Sequence, residues 1–168
     1  GGNHQGFLAI AQEPDLLPQS ELTEQRFLVV LDRVSDVGNI GSIARSALGL
    51  GADALVVGGL KQIPMEGVVR ASSGAALDLP IARVENLLDL THELQQAGFA
   101  LYGADPAGED VRSRSFDAPH ALFLGSEGEG LTGRLKGKMD HLVGIKLERA
   151  FDSLNVAVSA AIIMDRMR

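Results

Sequence analysis

The chain has 168 residues, of which 45% are hydrophobic and 22% charged, as expected for one globular domain and not for a disordered chain. It contains no cysteine, which excludes disulfides, thiolate zinc sites and thiol catalysis. The net charge of −7 disfavours a nucleic-acid binder, because phosphate contacts require Lys and Arg, unless a local basic patch or an attached domain supplies them. The apolar runs are too short to cross a membrane and no basic cluster with an apolar run opens the chain, so we expect a cytoplasmic protein.

The first 25 residues contain Pro14 and Pro18 and show no sustained periodicity, which predicts a mostly irregular arm. A short apolar run at 7–10 is the one candidate strand within it. Because the chain opens with Gly1 and Gly2 instead of Met, we expect a processed polypeptide or a fragment of a longer protein. The predicted organisation is therefore an arm or linker at 1–25 and one domain at 26–168.

From Phe27 onward, apolar strand-length runs alternate with segments of helical periodicity. Four leucines between 87 and 94 lie at helical spacing, and Gly98 is a plausible stop for that helix. This alternation predicts an α/β fold, with a mostly parallel sheet covered by helices on both faces. The predicted strands lie at 27–31, 54–57, 79–82, 99–102, 121–124 and 142–145, and the predicted helices at 40–50, 66–72, 85–97 and 153–168.

The first of three candidate functional segments, residues 32–47, leads from a strand through a Gly/Asn-rich turn into a helix. Ligands of α/β proteins usually bind where a strand's carboxyl end meets a helix start, and the helix amino terminus favours an anion. Gly38 and Gly41 would permit close backbone approach, and Arg45, about one turn into the predicted helix, could reach the same crevice. A tight turn followed by a solvated arginine explains this segment equally well. The glycine spacing does not match a dinucleotide fingerprint.

The second segment, residues 122–131, again runs from a buried strand into a turn dense in glycine. Its three glycines leave room for a flat ligand such as adenine, whereas Glu127 and Glu129 would repel a phosphate. The alternative is an exposed loop that the two carboxylates keep soluble. Residues 133–139 that follow do not match a P-loop.

The third segment, residues 145–158, ends in an almost wholly apolar helix that Ser153 and Asn155 open. Helix capping explains Asp152 or Ser153 well, since both residue types are favoured caps. Capping explains Asn155 poorly, which makes Asn155 a candidate functional residue.

In this order, the three segments resemble the three motifs of the SpoU/TrmH family of RNA ribose 2′-O-methyltransferases, in the SPOUT superfamily. The resemblance covers about residues 27–168. Val37 replaces a proline of the first motif, and Ala157 and Ser159 are exchanged relative to the usual third motif. The matching stretches are 36–47, 122–131 and 153–159.

The resemblance implies a deep trefoil knot in the C-terminal half that holds S-adenosylmethionine, with no metal. It also implies RNA as partner and a homodimer whose second copy completes the crevice. Residues 4–6 resemble the junction that follows a small RNA-binding domain in family members that methylate a guanosine of 23S rRNA. Such a domain before Gly1 would partly answer the charge objection, and residues 26–168 would be the catalytic domain. The cofactor residues implied are Leu124, Gly125, Ser126, Gly128, Ile145, Leu147, Ser153, Leu154 and Asn155.

The catalytic residues that the resemblance implies are Arg45, Asn39, Glu127 and Asn155. The family assigns activation of the ribose hydroxyl to the arginine, but a guanidinium, with a pKa above about 12, is not deprotonated in proteins. We therefore expect Arg45 to stabilise the developing alkoxide by its charge, while a phosphate or water takes the proton. The other three residues are expected to hold Arg45 and the loops in place. The histidines show neither ligand nor triad spacing: His4, His92, His120 and His141.

Three alternatives to methylation of a 23S rRNA guanosine remain open. A tRNA ribose methyltransferase would have the same catalytic domain. A catalytically silent RNA-binding or dimerisation module would share the fold, although it has no reason to retain Arg45, Glu127 and Asn155 together. A nucleotide-binding α/β domain is disfavoured by the two failed fingerprints.

Overall fold

The protein forms one parallel β-sheet flanked by helices. The computed structural model describes residues 14–149 and 153–168, and the candidate strand at 7–10 lies outside them. The sheet has six strands in the order β3-β2-β1-β5-β4-β6, and every neighbouring pair is parallel. The strands are β1 Phe27–Asp32, β2 Ala54–Gly58, β3 Ile81–Val84, β4 Ala100–Asp110, β5 His120–Gly125 and β6 His141–Gly144.

Helices cover both faces of this sheet, as the sequence predicts. The α-helices are α1 Val37–Gly49, α2 Met65–Ala71, α3 Leu87–Gln96, α4 Gly133–Lys136 and α5 Val156–Met167, with 3-10 turns at Gln19–Glu24, Ala75–Leu77 and Val111–Ser113. Alternate residues of β1 enter two separate cores, because successive side chains of a strand point to opposite faces. Val29 and Leu31 pack in the core that includes residues of α1, α2 and α5, and Leu28 and Val30 in the core that includes residues of α3 and α4.

The predicted elements are present, with shifted ends. α1 begins at Val37, three residues earlier than predicted, because the carboxylate of Asp36 accepts a hydrogen bond from the Asn39 amide at 2.9 Å and caps the helix. α3 stops as predicted before Gly98, whose φ of 91° is in the left-handed region. β4 is longer than predicted, since it continues to Asp110. Residues 19–24 of the arm form a 3-10 helix instead of irregular chain.

The strand order reverses between β1 and β5, which places a crevice at the carboxyl ends of these strands. Asp32, the last residue of β1, is in register with Gly125, the last residue of β5. The first two motif segments therefore emerge side by side. The predicted trefoil knot of the C-terminal half stays a prediction.

Gly41 serves packing between helices and not the approach to a ligand that its sequence context suggested. It is buried within α1, and a Cβ built on it would collide with Ala71 and the Ser72 amide nitrogen at the end of α2. The absence of a side chain lets the two helices come this close.

An aromatic cluster surrounds a buried histidine at the amino end of β5. His120 is 3% exposed, its ring lies 4.9 Å from that of Phe27, and its Nδ1 has no hydrogen-bond partner among the described residues. Tyr102 and Phe116 pack near it with ring centroids 6.2 and 6.5 Å away. Burial lowers the pKa of His120, against the opposing effect of a backbone hydrogen bond with Asp117.

This lowered pKa predicts loss of stability in mild acid. The folded protein binds a proton at His120 less readily than the unfolded chain, whose histidine titrates near pH 6.5. The stability contributed by neutral His120 is therefore complete above about pH 6.5 and falls as the pH drops below that value. One such group gives a slope of at most about 1.4 kcal/mol per pH unit. Urea unfolding between pH 7.5 and 5 should show a flatter profile for His120→Phe than for the wild type. His92→Gln, at an exposed site of α3, should keep the wild-type profile; equal profiles for all three proteins would contradict the assignment.

Candidate functional site

A cavity of about 910 Å³ opens at the carboxyl ends of β4, β5 and β6. One wall is the loop at 124–131, and the opposite wall is formed by residues 143–149 and 153–156. The volume lies in the range of small-molecule and cofactor sites. All nine residues that the sequence implied for the cofactor line this one cavity: Leu124, Gly125, Ser126, Gly128, Ile145, Leu147, Ser153, Leu154 and Asn155.

The lining suits a ligand with a flat apolar part and a cationic part. Leu124, Ile145, Leu147 and Leu154 supply apolar surface. The charged lining residues are four carboxylates, Asp105, Glu127, Glu129 and Glu148, and three cations, Lys136, Lys146 and Arg149, so negative charge is in slight excess. Adenine and a sulfonium need these two environments, so the residues fit S-adenosylmethionine.

The loop at 124–131 presents backbone to the cavity because it folds back on itself. Ser126 and Gly130 form an isolated antiparallel bridge, with the Gly130 amide donating to the Ser126 carbonyl at 2.8 Å. Gly128 and Gly130 have φ of 86° and 70°, which glycine adopts without strain. A Cβ on Gly125 would collide with the backbone of Gly130, so this turn requires glycine at 125.

A hydrogen-bonded cluster of Asn155, Glu127 and Asn39 joins the three motif segments. The Asn155 Nδ2 donates to Glu127 Oε1 at 2.8 Å and to Asn39 Oδ1 at 3.2 Å. Glu127 Oε1 also accepts from the Val156 amide at 3.3 Å. Residues far apart in sequence thus meet at one edge of the cavity, as expected for a composite site.

Asn155 is also the N-cap of α5, which corrects the expectation that capping explains it poorly. Its backbone is non-helical, with φ −52° and ψ 143°, and its Oδ1 accepts from the amides of Ala157 and Val158. The amide group has an acceptor and a donor end, so one end caps the helix while the other binds Glu127. Ser153 lies two residues before the cap, and Asp152 lies outside the described residues.

Arg45 is not in contact with this cluster. It is exposed, and its Nη1 donates to Ser73 Oγ at 3.4 Å. In the part of the chain that the structure describes, Arg45 makes no side-chain hydrogen bond to Asn39, Glu127 or Asn155, and neither Arg45 nor Asn39 lines the cavity. The expectation that these three residues hold Arg45 was therefore wrong. α1 begins early, so Arg45 lies about two turns into the helix instead of about one.

Two charged pairs at the cavity were missed by sequence reasoning. Lys136 and Asp105 form an ion pair at 2.6 Å, and the hydrogen bond from Lys136 lowers the pKa of Asp105 against the effect of burial. Arg33 and Glu129 form the second ion pair, at 2.8 Å. From the sequence, Glu129 was interpreted as a solubilising charge or as part of a ligand loop. No local signal links partners so far apart in the chain.

Residues 14–149 and 153–168 contain neither a candidate metal centre nor a candidate membrane span. Within them, no group of three or more His, Cys, Asp or Glu side chains is arranged to hold a metal ion. No helix in these segments has both the length and the apolar character needed to cross a bilayer.

These features define an α/β protein with a cofactor-sized cavity built from loops at the carboxyl ends of parallel strands. The SpoU rRNA Methylase family model matches residues 26–165, and the chain belongs to this family.

Individual relatives agree with this assignment. The chain is 36% identical over 172 residues to YacO of Bacillus subtilis, named as a TrmH family tRNA/rRNA methyltransferase, covering 97% of this chain and 69% of that protein. It is 35% identical to the 23S rRNA (guanosine-2′-O-)-methyltransferase RlmB of Ralstonia nicotianae, covering 96% of this chain and 68% of RlmB. An AdoMet-bound rRNA methyltransferase from Sinorhizobium meliloti superposes with a TM-score of 0.81 at 32% identity, covering 89% of this chain and 59% of that one. The chain thus spans between 59% and 69% of the length of these three proteins.

The two roles of Asn155 can be separated by substitution. Asn155→Ser keeps a capping oxygen but loses the Nδ2 donor, so the melting temperature should stay close to wild type while S-adenosylmethionine binds more weakly. Asn155→Ala loses both and should cost a further ~1 kcal/mol of stability. Calorimetry in the presence of a chelator and thermal melts would measure the two effects. Wild-type affinity in Asn155→Ser would show that the Asn155–Glu127 bond does not shape the pocket.

Proposed function

We propose that this protein transfers a methyl group from S-adenosylmethionine to a ribose 2′-oxygen of RNA, with a guanosine of 23S rRNA as substrate. The observation that carries the proposal is the cluster of Asn39, Glu127 and Asn155, one residue from each motif, beside a cavity lined by all nine expected cofactor residues. The RlmB relatives favour 23S rRNA, and relatives named for both tRNA and rRNA leave a tRNA ribose as the second candidate.

Positioning provides much of the expected rate acceleration. The bound cofactor supplies an electrophilic methyl group, and an in-line displacement requires the ribose oxygen to be held opposite the leaving sulfur. The loop at 124–131 and the start of α5 are tied together by the Asn155–Glu127 hydrogen bond, which fixes the two walls of the cavity relative to each other. Glu127 and Asn155 therefore act by keeping the loops in a binding geometry.

Arg45 is proposed to stabilise the alkoxide that develops as the 2′-hydroxyl loses its proton to a phosphate or water. Its exposed guanidinium is available to groups from outside the chain. The described lining of the cavity does not include Arg45. In a homodimer, Arg45 of one protomer could lie beside the cofactor cavity of its partner.

Exposed apolar residues on α5 support a homodimer. The sequence predicts an almost wholly apolar helix here, but Val156, Ile163 and Met164 are buried in the chain's own core. Val158 and Ile162 are instead 48% and 38% exposed and one helical turn apart. α5 packs against α1, so these residues belong to the helix pair that carries Arg45.

The length difference from the relatives bears on RNA binding. A domain of net charge −7 has little general attraction for the phosphates of RNA. We therefore propose that the affinity for RNA comes from an RNA-binding domain outside the present sequence. A cytoplasmic location follows from the proposed ribosomal substrate.

Replacing Arg45 should separate a catalytic role from a structural one. Arg45→Ala should lower the methylation rate about 10²- to 10³-fold while cofactor affinity and melting temperature remain near wild type. Arg45→Lys should recover only part of the rate, since an ammonium does not reproduce the guanidinium fork. The measurement is transfer of labelled methyl groups to 23S rRNA and tRNA by the whole polypeptide that carries this chain, followed by mapping of the modified ribose.

Arg83→Ala, on β3 and outside the described cavity lining, is the matched control and should keep the wild-type rate. Methylation of tRNA but not of 23S rRNA would favour the second candidate substrate, a tRNA ribose. An undiminished rate in Arg45→Ala would make Arg45 a structural residue.

The exposed face of α5 provides a test of assembly. Val158→Lys should convert a dimer to monomers at micromolar concentration, because it places a charge within the proposed apolar contact. Leu77→Lys changes an apolar residue that is 56% exposed elsewhere and should leave the dimer intact. Light scattering distinguishes the species. A wild-type protein that is monomeric would rule out the dimer.

A further inference from the structure

Arg33 has an unusual backbone conformation directly after β1. Its φ is 60°, in the left-handed region that residues with a Cβ rarely adopt. Its amide donates to the Gly58 carbonyl at 3.0 Å. Its side chain runs across Gly59, where a Cβ would lie 2.7 Å from Arg33 Cγ. The neighbouring turn thus directs the Arg33 side chain toward the cavity loop.

The guanidinium of Arg33 uses all three nitrogens to bind acceptors. Nη1 donates to Glu129 Oε2 at 2.8 Å, Nη2 to the Gly130 carbonyl at 3.0 Å, and Nε to Asp32 Oδ1 at 3.3 Å. The hydrogen bond with Glu129 raises the pKa of Arg33, although burial opposes it. Two of the three acceptors belong to the loop that forms one wall of the cavity.

Asp32 holds the same part of that loop. It is 5% exposed, and its Oδ2 accepts from the Thr132 amide at 3.0 Å. The end of β1 therefore binds residues 129–132, which we term the return limb. The part of the loop that precedes Gly128 is held separately, by the hydrogen bond that Asn155 donates to Glu127. Between the two contacts lies Gly128, at which the chain can rearrange easily.

We propose that Arg33 is a positioning residue that latches the return limb through Glu129 and the Gly130 carbonyl, and that this latch controls how fast the cofactor leaves the cavity. The inference rests on the proposed function, because it takes S-adenosylmethionine as the occupant. The Glu129 side chain is 72% exposed and that of Arg33 34%, so salt screens the ion pair and the latch can open.

The test is the rate at which S-adenosylhomocysteine dissociates, measured by stopped flow. Glu129→Gln should speed release about two- to fivefold, the effect of one partly exposed ion pair. Arg33→Asn should speed it up to about tenfold, because the carbonyl bond is also lost, and Asn tolerates the left-handed backbone. Association rates should not change. Raising the salt concentration should accelerate the release of S-adenosylhomocysteine from the wild type, because salt screens the Arg33–Glu129 ion pair. The difference in release rate between the wild type and Glu129→Gln should therefore become smaller.

The double variant distinguishes a latch from a direct contact of Glu129 with the ligand. If Glu129 acts through Arg33, the double variant releases S-adenosylhomocysteine no faster than Arg33→Asn does. If instead the two single-variant increases in release rate multiply in the double variant, the latch is overturned. Glu66→Gln breaks another exposed Glu–Arg pair of 2.8 Å, on α2, and should release at the wild-type rate. Equal release by wild type and both single variants would also overturn the latch and leave the proposed function intact. Failure of the wild type to bind either S-adenosylmethionine or S-adenosylhomocysteine would overturn both.

Discussion

The hydrogen bond between the Asn155 amide and the Glu127 carboxylate is the contact on which the site depends. It joins the loop after β5 to the start of α5, although β6, at the sheet edge, separates these segments along the chain. The same amide caps α5 and reaches Asn39 at the start of α1. One side chain therefore couples the helix that closes the fold to both walls of the cavity.

The cavity loop is held from two sides by bonds of different character. Asn155 binds Glu127 through a neutral donor that salt affects little, whereas Arg33 binds Glu129 through an ion pair that is partly exposed. A glycine-rich loop anchored in this way keeps its shape around a ligand while one of its limbs can still open. This division is consistent with a cofactor that must enter and leave once in every catalytic cycle.

Charged residues of both signs line the cavity. The carboxylates of Asp105, Glu127, Glu129 and Glu148 are accompanied by the cations Lys136, Lys146 and Arg149, whereas Arg45 lies outside the described lining. Arg45 therefore belongs to a different surface, which is proposed to meet the RNA. Such a surface needs only a few well-placed cations if affinity for RNA comes from another domain.

Local patterns in the sequence predicted the strands and most helices, because apolar periodicity and glycine-rich turns depend on neighbours along the chain. The nine cavity residues and the trio Asn39, Glu127 and Asn155 were implied by the resemblance of three motif segments to a known family. The resemblance did not show that these three residues bind one another instead of Arg45. The early start of α1 depends on the Asp36 cap, and it places Arg45 about two turns into the helix instead of the predicted one. The pairing of Arg33 with Glu129 has no sequence signal, since it arises only because β1 and β5 lie side by side in the sheet. The sequence alone determined which elements form and which residues are candidates for the chemistry. The tertiary structure decided which of them touch, because contacts between distant segments depend on strand order and helix ends.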